Sequence, residues 1–134
     1  SSLWLNMGNL MSTIKANDIQ NASGGIPTVK GQKLIPTAWV NFNGTGVVAI
    51  RDSEGVSSIG DVATGKYTIN FATAMANSDY TVVSSAGDTS GTTIVAAAIN
   101  TTTVNGCNLV VFATGAQTAL DRDLVTAVVM GGQS

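Results

Sequence analysis

Residues 60–68, GDVATGKYT, set Gly60, four further residues, Gly65 and Lys66 at the spacing of a phosphate-binding loop. Such a loop cradles phosphate oxygens with backbone N–H groups. It needs Ser or Thr after the lysine to hold Mg²⁺, and it leads into the N-terminus of a helix. Here Tyr67 follows Lys66, and the next residues, TINF, alternate as a strand does. The nucleotide reading fails. Gly60 and Gly65 are expected as turn residues flanking 61–64, with Lys66 solvated at a strand start.

The remaining reactive side chains are sparse. The chain has no histidine, which removes Ser-His-Asp and Cys-His nucleophile pairs, imidazole bases and most transition-metal sites. Its one cysteine, Cys107, precedes Leu109-Val110-Val111-Phe112 and is expected as a buried apolar thiol. Asp88-Thr89-Ser90-Gly91 lacks the Gly that follows Thr in an aspartic-protease triplet, and is expected as a Gly-bounded hairpin loop. Asp121-Arg122-Asp123 and Asp52-Ser53-Glu54 lack the spaced oxygen ligands of a Ca²⁺ site and are expected as solvated loops. No metal, cofactor or catalytic residue is assigned.

Trp39 beside Asn41 and Asn43 forms the most suggestive polar-aromatic face. An indole can stack on a sugar ring while the amides bond its hydroxyls, so these three are the candidate glycan contacts. The competing reading packs Trp39 under a loop or at a subunit contact.

The elements that position these residues are short strands. At 134 residues the chain makes one domain with a short appendage. Residues 1–36 hold both prolines, the Gly24-Gly25 pair and Lys15, Lys30 and Lys33, and read as an extended N-terminal arm with a brief strand or turn of helix, then a Gly/Pro linker. From 37 to 134, strands are expected at Thr37–Asn43, Thr45–Arg51, Val56–Ile59, Lys66–Phe71, Tyr80–Ala86, Thr92–Ile99, Asn108–Thr114 and Leu124–Met130. Asn43-Gly44 marks a hairpin. The fold class is all-β: an antiparallel, jelly-roll-like β-sandwich head behind an extended N-terminal arm.

Composition narrows the partners. Charged residues are 10% of the chain and the net charge is −2, so no basic patch exists for nucleic acid. No run reaches the ~20 apolar residues of a membrane-spanning helix. The later strands, notably Leu124–Met130, look apolar on both faces, and burial by further copies of the chain is the economical explanation. Val125, Val128 and Met130 are the candidate subunit contacts.

The stretch Ala38–Arg51, AWVNFNGTGVVAIR, with the following GVSSIGDVATGKYTINFATAM and NSDYTVV, resembles a domain of tail fibres and other virion-surface proteins of cyanophages and marine phages. Residues 11–20, MSTIKANDIQ, are similar to the N-termini of such proteins, so the likeness spans roughly 11–83. The resemblance implies a host-facing homotrimer at the virion surface, held to other capsid or tail proteins by its N-terminal region, with no catalytic residues. Residues 1–10 are then an extra leader, and Leu3, Trp4, Leu5, Ile14 and Ile19 are the candidate virion-anchoring residues. An arm of 36 residues reaches on the order of 100 Å at most when fully stretched. The expectation is therefore a short knob or fibre tip. Its partners by this reading are itself and host-surface carbohydrate; a capsid decoration protein without a receptor is the alternative, and an envelope-degrading hydrolase a third.

Overall fold

The computed structural model describes residues 12–91, 94–115 and 118–133. Among these there are eight strands and no helix: β1 Ala38–Asn43, β2 Ala49–Glu54, β3 Val56–Ala63, β4 Lys66–Phe71, β5 Thr81–Gly87, β6 Val95–Thr103, β7 Gly106–Ala113 and β8 Leu124–Met130. They form two four-stranded antiparallel sheets, ordered β2-β1-β8-β5 and β3-β4-β7-β6, consistent with a β-sandwich. Three hairpins (β1–β2, β3–β4, β6–β7) lie within sheets, and the first and last strands pair side by side.

Period-2 alternation builds the core. Each central strand turns three residues inward: Ala38, Val40 and Phe42 from β1; Tyr67, Ile69 and Phe71 from β4; Cys107, Leu109 and Val111 from β7; Val125, Ala127 and Val129 from β8. Each large side chain so buried contributes about 1.5–3 kcal/mol relative to exposure. Edge strands add half-buried residues such as Ile50, Ile59, Val82 and Ile99. Cys107 is buried as expected, and burial pushes its thiol up to about 11.

Both ends of the sandwich are closed the same way. Phe42 and Tyr67 meet edge to face at 5.2 Å at one end, and Phe71 and Tyr80 do so at 5.3 Å at the other. Each tyrosine hydroxyl reaches loop backbone: Tyr67 donates to Gly44 O at 2.8 Å, and Tyr80 lies 2.7 Å from Gly106 O and 2.8 Å from Thr103 O.

Several loops depart from expectation. Gly60 sits inside β3 opposite Thr68, so only Gly65 is a turn residue. Asp52 and Glu54 belong to edge strand β2, which starts at Ala49. Residues 88–91 begin a crossing between sheets, since β5 and β6 lie in different ones. The arm shows neither strand nor helix over 12–20, but 21–36 is more ordered than a plain linker. Asn21 Oδ1 accepts from Ser23 and Gly25 N–H, and Val29–Gln32 closes a tight turn with Lys30 and Gly31 at φ of 51° and 76°. The arm then clasps the C-terminal tail: Lys33 Nζ donates to Gln133 O at 2.6 Å, and Thr37 Oγ1 to Gly131 O at 2.7 Å.

Gly65 is the most constrained of these positions. Its φ is +67°, and a Cβ there would lie 2.5 Å from Val111 O and 2.6 Å from Leu120 N. Left-handed strain alone costs about 1–2 kcal/mol for a residue with a Cβ. Gly65→Ala is therefore expected to destabilise by more than about 2 kcal/mol in equilibrium denaturation, the backbone clash adding to the strain. Cys107 should remain unreactive toward a thiol reagent in the native state and react only on unfolding, as a stopped assay with and without denaturant would show.

Candidate functional site

Two surfaces gather the chemistry-bearing residues. The first is the loop end of the sandwich around Tyr67. Its hydroxyl lies 2.8 Å from Gly44 O and 3.0 Å from Asp121 Oδ1, and Asp121 Oδ1 also accepts Gly65 N–H at 2.7 Å. Gly44 N–H in turn donates to Arg122 O at 2.9 Å. The Arg122 Nε stands 3.5 Å from Asp88 Oδ2, with both side chains mostly buried. Asp123 accepts from Thr89 N–H and Oγ1. The acidic triplet is thus a knot joining the β1–β2, β3–β4, β5–β6 and β7–β8 connections, where the sequence reading expected a solvated loop.

Burial foremost, then the hydrogen bond and charge of Asp121, push the Tyr67 hydroxyl far above its ordinary value. A phenol facing a carbonyl and a carboxylate is needed as a donor, so it stays protonated. Among the described residues no cluster of three His, Cys, Asp or Glu is arranged to hold a metal ion.

The second surface is the outer face of the β2-β1-β8-β5 sheet, where the sequence-derived candidates converge. Trp39, Asn41 and Asn43 all point outward from β1 and are half-buried. Pairing sets Trp39 beside Val128 and Val128 beside Val83, an apolar row across three strands. Val83 is 68% exposed and Val128 38%. The next row is polar: Asn41, Thr126 and Ser85, with Ser85 and Thr126 hydroxyls 2.7 Å apart and Arg51 Nη1 donating to Asn41 Oδ1 at 3.2 Å. Met130 lies beside Thr81, and Leu124 beside Gly87, flanking these rows.

The candidates divide accordingly. Val125 is fully buried in the core, so it does not serve as a subunit contact; strict alternation puts Leu124, Thr126, Val128 and Met130 outside instead. Asn43 Oδ1 accepts from Thr45 N–H at 3.0 Å and Thr45 Oγ1 at 2.6 Å, which commits it to the loop. Trp39 and Asn41 stay on the sheet face, where Val83 joins them; the sequence reading named no role for Val83. Ile14 and Ile19 are 85% and 70% exposed, while Leu3, Trp4 and Leu5 lie outside the described residues. A cleft of about 700 Å³ separates the 21–28 turn from the base of the head, lined by Asn21, Ile26, Lys33, Met75 and Gln133 among others.

The knot makes stability depend on alkaline pH. A free tyrosine titrates near 10, and Tyr67 titrates above that when folded. The folded state therefore holds the proton more tightly, and this stabilisation is complete below about pH 10 and is lost as pH rises beyond it. The denaturation midpoint should fall above about pH 10. Tyr67→Phe should cost about 1–3 kcal/mol at pH 7 by stranding buried acceptors, and should flatten the alkaline decline. No family model, curated protein or solved structure matches this chain.

Proposed function

We propose that this chain is the non-enzymatic head of a phage virion-surface protein, a short knob or fibre tip that assembles as a homotrimer and contacts host-surface glycans. The observation that carries the reading is the outward apolar row Trp39–Val128–Val83 on one sheet face, in which Val128 and Val83 are exposed and Trp39 half-buried, with half-buried Met130 beyond it. A lone sandwich gains nothing by presenting such a row to water, and a second subunit covering it recovers the burial energy. The likeness of 38–51 to tail-fibre domains supports the virion setting. The neutral surface suits weak, repeated sugar contacts, which several copies strengthen by avidity. With that row as the subunit contact, Trp39 lies within it, and Asn41 in the neighbouring polar row is the residue left for the glycan role.

The decoration-protein reading draws on the arm. Ile14 and Ile19 are apolar, exposed and carried on a segment without strand or helix, a form suited to lying along another virion protein. Removing residues 1–20 separates the two readings and spares the clasp at 33 and 37. Loss of particle association with host adsorption intact favours decoration, and the reverse favours adhesion.

Light scattering on the full chain should give masses in multiples of three copies. Val128→Lys, on the outer face of β8, should remove the three-copy unit with the circular dichroism spectrum unchanged. A wild-type chain with a single-copy mass at every concentration removes the trimer, and a head that binds no host envelope fraction removes adhesion.

A further inference from the structure

The two flanks of the sandwich are unlike. One is formed by edge strands β2 and β3, which carry Arg51, Asp52, Glu54 and Asp61 and are broken by register shifts at 50/52 of β2 and at 56/58 and 61/63 of β3. Charges and bulges on edge strands are the usual devices that prevent strand addition. The other flank is formed by β5, TVVSSAG, and β6, VAAAINTTT, with no charged residue and no proline in either. β6 has one register shift, at 99/101. β5 has none: its seven residues pair in unbroken sequence with β8, from Thr81 opposite Met130 to Gly87 opposite Leu124.

The β5 edge is therefore the one edge strand with no barrier to another strand, and its surroundings favour one. Val82 and Ala86 on its inner side are only half-buried, as are Val95, Ala97 and Ile99 of β6 on the same flank. Val83 on its outer side is exposed. An added strand would satisfy the free backbone N–H and C=O groups and cover these side chains together.

We propose that β5 is a self-recognition strand, pairing antiparallel with β5 of a second copy about a two-fold axis at Ser84. A two-fold centred on a residue keeps like faces together. Inner Val82 meets inner Ala86 of the second copy, and outer Val83 meets outer Ser85. No charge repels, and no side chain is turned to the wrong face. The contact uses the backbone edge of β5 and the three-copy contact proposed above uses the sheet face; Val83 alone belongs to both, so substitutions at Ser85 and Val128 test them separately. Together they link one assembly to the next.

The register is testable on the full chain by preparing Val83→Cys and Ser85→Cys proteins separately and mixing them under mild oxidation. Residues directly opposite lie about 4.5–5.5 Å apart at Cα, within disulfide reach. Like residues lie on the diagonal, roughly 7–8 Å apart, and beyond easy reach. Cys107 is buried and does not compete. The expected result is a mixed Val83→Cys/Ser85→Cys disulfide well above its statistical share. Val83→Lys in the otherwise native chain should abolish the two-fold species in native mass spectrometry, and so should Ser85→Lys, which leaves the apolar row intact. Mixed and like disulfides in merely statistical proportion, or no even-numbered species before substitution, would overturn the proposal. A three-copy mass without the mixed disulfide removes the flank contact alone; the mixed disulfide without a three-copy mass removes the trimer alone.

Discussion

The hydroxyl of Tyr67 is where the fold is tied. A phenol buried between sheets needs an acceptor, and the two it faces come from parts of the chain far from each other and from it, Gly44 and Asp121. Because Asp121 also holds Gly65 N–H, one carboxylate fixes the hairpin that begins β4 and the connection that leads into β8. Gly44 and Gly65 are glycines for the same reason. A Cβ at Gly44 would collide with the Tyr67 hydroxyl, and one at Gly65 with Val111 O and Leu120 N. The loops at this end thus approach backbone to backbone, and little room remains for a ligand beneath them.

That geometry separates structure from interaction. The polar residues that look reactive in the sequence, Asp88, Asp121, Arg122 and Asp123, are engaged with one another and with loop backbone. The surfaces left to meet partners are plainer: a sheet face with an apolar row beside a hydroxyl-amide row, and an uncharged flank. Recognition on such surfaces rests on shape, backbone valence and repetition more than on charge.

Much of this was legible in the sequence, for reasons that can be traced to particular residues. Lys66–Phe71 and Leu124–Met130 keep the strand bounds expected of them, the first because Tyr67, Ile69 and Phe71 alternate with polar residues, the second because it is a short apolar run rich in β-branched residues. β2 was harder to read: Arg51-Asp52-Ser53-Glu54 has the composition of a loop, and only its place at a sheet edge makes those charges tolerable in a strand. The inward face of β8 was ambiguous because both parities are apolar; Thr126 on the outer side is the sole local clue. The role of Asp121 was beyond local reading altogether, since its partner Tyr67 is 54 residues away. Gly60 was misread because a glycine in a strand looks like one in a turn until its neighbour Thr68 is known.

The clasp between the arm and the C-terminal tail has a mechanical consequence. The arm runs through Thr37 directly into β1, a central strand bonded on one side to β2 and on the other to β8. Tension applied along the arm would therefore be resisted by two hydrogen-bond ladders sheared in parallel, whereas a pull on an edge strand would unzip one bond at a time. A chain that enters at the middle of a sheet is hardest to unravel when the pull runs along that strand.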